Sequence, residues 1–109
     1  MIDCIFCKIA KKDLPATFLY QDDEIMVFKD IHPVRPFHVL IVPKMHIEDT
    51  GAVSEVALFA KLFSVAQKII TLEKLNGNGY RILINGGGAQ VVDHLHIHLM
   101  APVTKTTMM

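Results

Sequence analysis

The stretch Asp93-His94-Leu95-His96-Ile97-His98-Leu99-Met100 decides how this chain is read. Successive side chains of an extended strand point to opposite faces, so the three imidazoles fall on one side and Leu95, Ile97 and Leu99 on the other. A strand over His94 to Ala101 is predicted, polar on one face and apolar on the other. Imidazole titrates near neutrality, so the row can serve as nucleophile, general acid, phosphate-binding group or metal ligand, depending on what surrounds it.

Outward from this strand, the chain alternates turn signals with apolar runs. Gly86-Gly87-Gly88-Ala89 precedes it and follows a β-rich run from Tyr80 to Asn85. Ser54 to Leu75 repeats apolar residues at three to four positions and predicts a long helix, ended by Asn76-Gly77-Asn78-Gly79. Its apolar arc carries two stripes, wider than packing on one sheet requires, so either deep burial or a helix–helix dimer contact is expected. Phe37 to Val42 reads as a strand stopped at Pro43, and Phe18–Gln21 with Ile25–Lys29 as a hairpin around Asp22-Asp23-Glu24. Residues Ile5 to Lys11 predict a short helix closed by Asp13-Leu14-Pro15. The fold class is α+β, with a five-stranded, mostly antiparallel sheet, one long helix and a short N-terminal helix in a single domain over residues 1–109.

Composition narrows the function. The chain has 109 residues, 51% of them apolar, with a formal net charge of zero, which excludes disorder and gives no basic groove for a nucleic-acid polymer. The start Met1-Ile2-Asp3-Cys4 has no secretory pattern and no apolar run is long enough to span a bilayer, so a soluble cytoplasmic protein with no membrane partner is expected. Cys4 and Cys7, the only cysteines, stand too close to staple a fold and read as reduced thiols or metal ligands.

Three readings of the histidine row compete. A solvent-facing row is disfavoured because histidine is not a preferred strand residue. A catalytic zinc would need three ligands spread over about 13 Å of strand, too long without bending. A nucleophilic imidazole at phosphorus needs a neutral ring whose Nδ1 proton is held by a carbonyl, and a glycine-rich loop nearby permits close backbone approach to phosphate.

The run Gln90-Val91-Val92 leading into His94-Leu95-His96-Ile97-His98-Leu99 resembles the signature of the histidine triad (HIT) superfamily. So do Cys4-Ile5-Phe6-Cys7-Lys8-Ile9, Leu14-Pro15-Ala16, Asp30-Ile31-His32-Pro33 and Pro36 through His46, which cover nearly the whole chain in order and point to the Hint-like branch. The resemblance implies a homodimer, with a continuous sheet across its two copies, that hydrolyses or transfers nucleoside monophosphate derivatives of the adenosine phosphoramidate type. The alternatives are a dinucleoside polyphosphate hydrolase of the same superfamily and a nucleotide-binding regulatory protein with vestigial activity. By position, His96 resembles the nucleophile that forms a nucleotidyl-histidine, with His98, His38 and His94 completing the polar cluster. Asp30 resembles the ribose-binding acid; Phe6, Phe28 and Ile31 the base pocket; and Asn85, Ala89, Gln90 and Val91 the phosphate side. Cys4, Cys7, His46 and His94 resemble the ligands of a structural zinc, and no catalytic metal is expected. Two departures stand out: the loop from Asn85 to Gln90 is short with Ala89 in place of glycine, and Val91 stands where many Hint-like members carry a hydroxyl.

Overall fold

Apolar alternation along the strands supplies both faces of one sheet. In the computed structural model, which describes residues 4–105, the chain runs through α1 (Ile5–Ala10), β1 (Phe18–Gln21), β2 (Ile25–Lys29), β3 (Phe37–Pro43), a 3-10 turn at Thr50–Ala52, α2 (Ala57–Leu72), β4 (Arg81–Ile84) and β5 (Ile97–Ala101). Among the described residues the strands form a five-stranded antiparallel sheet in the order β1-β2-β3-β5-β4. This is the α+β architecture expected from the sequence. The Met1-Ile2-Asp3 start lies outside the described residues. No helix of the described residues is long and apolar enough to cross a membrane.

The two faces bury different partners. Ile25, Val27, Val39, Ile41, Ile97 and Leu99 pack against Leu62, Val65, Ala66, Ile69 and Ile70 of α2. Each of the fully buried Leu, Ile and Val side chains among them stabilises the fold by about 1.5–3 kcal/mol. Met26, Phe28, Leu40 and Val42, one residue out of phase, face Cys4, Phe6 and Ile9 at α1. Both stripes of α2 contribute to this core, and part of the helix's apolar arc stays open, with Phe63 at 44% and Leu72 at 69% exposure.

Several boundaries move. The long helix begins at Ala57 instead of Ser54, because Leu58 and Phe59 donate to the carbonyls three residues back, a tighter first turn. It ends before the glycines: Leu75 N–H donates to Ile70 O and Lys74 N–H to Thr71 O, with Lys74 at φ 55°. That is a Schellman cap in which a lysine takes the left-handed position and buried Leu75 packs in the same core as Ile70. Lys12, at φ 66°, ends α1 the same way.

The largest correction concerns the histidine strand. The predicted strand over His94 to Ala101 begins only at Ile97. His94 N–H turns back to Val92 O and Leu95 N–H donates to Ile47 O, at 2.8 and 2.7 Å, which withdraws residues 94–96 from the ladder. Only His98 of the row is a strand residue, opposite Leu40 of β3 and Leu83 of β4. The alternation of faces survives, since Leu95, Ile97 and Leu99 are buried in the α2-side core.

Candidate active site and metal centre

On the α1 side of the sheet lies a cavity of about 750 Å³, walled by α1, the end of β2, the 30–36 loop and β5. Phe6, Phe28, Asp30, Ile31, Val91, His38, His96 and His98 line it; Asn85, Ala89 and Gln90 do not. Its size suits a small organic ligand, and its wall is apolar with a few convergent polar groups. A smaller hollow of about 420 Å³ lies beside Met45, Glu55 and Lys61 and has no histidine or cysteine in its wall.

Backbone groups fix the proton on three of the imidazoles, those of His38, His94 and His96. His94 Nε2 is 2.7 Å from Pro43 O, and a carbonyl only accepts, so this nitrogen carries the hydrogen and Nδ1 keeps its lone pair. His96 Nδ1 is 2.7 Å from His94 O, so it carries the proton and leaves the Nε2 lone pair uncommitted. No fully buried side-chain nitrogen or oxygen among the described residues lacks a partner, so this unbonded Nε2 reaches the cavity surface although the residue is only 4% exposed. Phe6 packs edge-on against the His96 ring with centroids 5.2 Å apart.

His38 and His98 form a relay. Val34 N–H donates to His38 Nδ1 at 3.0 Å, so His38 carries its proton on Nε2 and donates to His98 Nδ1 at 2.9 Å. His98 is thereby held with its own proton on Nε2. Asp30 Oδ2 lies 3.4 Å from His38 Nε2 and 4.0 Å from His98 Nδ1. Asp30, His38 and His98 have ligand atoms within the reach of one ion. A metal there would need the lone pair that His38 Nε2 lacks while Val34 holds Nδ1, so the set is a hydrogen-bonded relay. Burial, followed by the neighbouring His96 and His38, pushes the His98 pKa down to about 4 against the pull of Asp30. Burial likewise lowers that of His38, with Asp30 opposing. Both rings are neutral at physiological pH.

A second constellation sits at the start of α1. Cys4 Sγ is 3.3 Å from His94 Nδ1, and Cys7 Sγ is 3.3 Å from His46 Nδ1 and 3.6 Å from His94 Nδ1. Tetrahedral zinc with bonds of roughly 2.0–2.3 Å separates its ligand atoms by about 3.3–3.8 Å. These spacings match, and the His94 tautomer directs its lone pair at the thiols, so the residues present fit a structural zinc. Burial and the adjacent Cys4 push the Cys7 thiol up, so without a cation it holds its proton.

The glycine loop is stapled from below. Gly88 N–H donates to Gln90 Oε1 at 2.9 Å, Gln90 Nε2 donates to Glu48 O at 3.3 Å, and Gly87 N–H donates to Asp49 Oδ2 at 2.8 Å. Gln90, expected beside the phosphate, has its amide committed to the loop. Asp30 also caps its own loop, with Oδ1 accepting from His32 N–H at 2.8 Å. The Val34 amide and Pro43 carbonyl were not anticipated, because a backbone group leaves no residue-type signal in a sequence.

The site's chemistry has counterparts among known proteins. A HIT domain profile matches residues 11–105. The chain is 39% identical to the purine nucleoside phosphoramidase of Escherichia coli K12, over 90% of this chain and 86% of that protein. It is 39% identical to the 14 kDa zinc-binding protein of Zea mays, over 88% and 79%. The crystal structure of a HIT family hydrolase from Legionella pneumophila superposes with a TM-score of 0.88 at 40% identity, covering 95% of this chain and 96% of that one. With the imidazole cluster, the Cys/His set and the sheet in place, the chain belongs to the histidine triad family of HIT-domain proteins, among relatives that include hydrolases.

Proposed function

We propose that this chain is a hydrolase or transferase of nucleoside monophosphate derivatives, of the adenosine phosphoramidate type, working through a covalent nucleotidyl-His96. The observation that carries this reading is the His96 ring: Nδ1–H is held by His94 O at 2.7 Å, and the Nε2 lone pair opens into the cavity. Such a lone pair can attack phosphorus and form an Nε2–P bond as the P–N bond breaks. The electron pair of that bond leaves on the amine, which takes a proton from water at the open mouth, where Val91 is 95% exposed and offers none. Water then cleaves the Nε2–P bond and releases the monophosphate. His98, neutral and holding its proton on Nε2, donates to a phosphoryl oxygen, and His38 keeps it in that state. Phe6, Phe28 and Ile31 receive the base, and Asp30 Oδ2 accepts from the ribose hydroxyls. Asn85 and Ala89 belong to the loop under the phosphate, and Gln90 acts there by holding the loop's shape.

The same proposal includes one domain, a homodimer with a continuous sheet across its two copies and with the open part of α2 at the contact, a cytoplasmic setting, and zinc held by Cys4, Cys7, His46 and His94. A regulatory nucleotide binder is the second reading, favoured by Val91. The test compares turnover of an adenosine phosphoramidate with that of a diadenosine polyphosphate. Preference for the phosphoramidate supports the proposal. Preference for the polyphosphate replaces its substrate class, and tight monophosphate binding with neither turned over establishes the binder.

A further inference from the structure

We infer that Cys4, Cys7, His46 and His94 are positioning residues for His96, so that filling their cluster with a divalent metal sets the orientation and proton placement of the ring that attacks phosphorus. The role of His96 rests on the function proposed above; the coupling between the two clusters does not.

Two of the three contacts of the His96 ring come from residues that the cluster anchors; the third is the His98 ring of β5, with centroids 5.0 Å apart. Its Nδ1–H is taken by the carbonyl of His94, whose side chain is itself a prospective ligand. Its edge contact is Phe6, which stands between Cys4 and Cys7 in α1 and also meets the His94 ring at 5.7 Å. The sheet gives the His96 ring only that edge contact and holds neither its Nδ1 proton nor its backbone, because β5 begins at Ile97 and residues 94–96 make no ladder bonds. What ties the segment down is the Leu95 N–H bond to Ile47 O, next to the ligand His46, and the Pro43 carbonyl on His94 Nε2. Helix α1, six residues long, is too short to hold itself in place, and its own cap is the Cys4 sulfur accepting from Cys7 N–H at 3.4 Å. Three chain segments, at 4–7, 43–47 and 94–96, therefore meet at the four ligand atoms, and the ring of His96 leans on two of them. Fixing those atoms to one ion removes the slack from both supports at once.

The test prepares the chain metal-free, zinc-loaded and cobalt-loaded; the visible absorption of cobalt reports thiolate and imidazole ligation directly. Long-range proton–nitrogen NMR of the histidine rings then reads His96. The loaded protein should show a single Nδ1–H form, and folded metal-free protein a mixture of forms. In single-turnover experiments, nucleotidylation of metal-free protein should slow by about 10²-fold, the cost of a misplaced reacting group, with little change in monophosphate binding. Cys7→His, which keeps four ligands, should recover the single form with zinc, and Cys7→Ala should not. Identical His96 signals in folded metal-free and loaded protein would overturn the inference, leaving the cluster a stability element alone. Should the metal-free chain not fold, zinc- and cadmium-loaded protein are compared: His96 signals that move with the larger ion support the coupling, and unchanged signals refute it. If His96 responds to metal but no adduct forms in any state, the proposed function fails while the coupling stands.

Discussion

Acidification should unfold this protein partly through His98, and the size of the effect follows from its surroundings. Burial, with His96 and His38 close by, lowers its pKa from 6.5 to about 4 in the fold. Below pH 6.5 the unfolded chain takes up a proton at this position that the native chain refuses, so the unfolded state binds more protons and stability rises with pH across the window. The contribution is fully present above 6.5 and is lost as the pH falls through about 4. At about 1.4 kcal/mol per unit, the shift is worth on the order of 3 kcal/mol. Urea unfolding across this window should therefore show the wild type losing more stability than His98→Asn by roughly that amount. The asparagine can still accept from His38 Nε2–H but does not titrate. The groups facing His98 are His38, His96 and Asp30, and the variant leaves all three in place. Parallel pH profiles for the two proteins would show that His98 does not carry this acid sensitivity.

Replacing His38 by alanine removes the donor to the half-buried His98 Nδ1 and the acceptor of the Val34 N–H on an exposed loop, so it should cost about 1 kcal/mol in urea unfolding and release His98 to either tautomer, visible by NMR. Gly79→Ala places a Cβ 1.9 Å from the Val103 carbonyl oxygen at φ 69°, whereas Gly77→Ala meets nothing within 4 Å at φ 85°. The Gly77 variant should lose only the strain of a left-handed alanine, about 1–2 kcal/mol, and the Gly79 variant clearly more in thermal unfolding. Val91→Ser restores a hydroxyl at the cavity mouth and should raise turnover of phosphoramidates with strongly basic amines by up to about 10²-fold, with a smaller gain for weakly basic leaving groups.

Much of this was legible in the residues. Alternation of Leu95, Ile97 and Leu99 with the histidines assigned each to its face of the sheet, and Pro43 marked the end of β3 where it lies. What escaped was carried by the backbone or by contacts distant in sequence. Periodicity cannot show that Ile47 O captures the Leu95 amide and keeps His94 and His96 out of the strand. Turn statistics favour glycine in a left-handed cap, yet Lys12 and Lys74 close the two helices, because Leu75 packs in the core with Ile70 and the 6→1 bond forms around them. Gln90 has the residue type of a phosphate contact, and only the position of Gly88 and Glu48 shows its amide already taken.

If His96 is the nucleophile, its free Nε2 is the atom that takes the nucleotide. Acid-sensitive phosphoramidate bonds survive a rapid alkaline quench, so mass spectrometry of peptides from a reaction stopped within one turnover tests it directly. A nucleoside monophosphate is expected on the peptide at His96 and absent from His96→Ala. An equally abundant adduct in His96→Ala, or one mapped to His94 or His98 in the wild type, would contradict it.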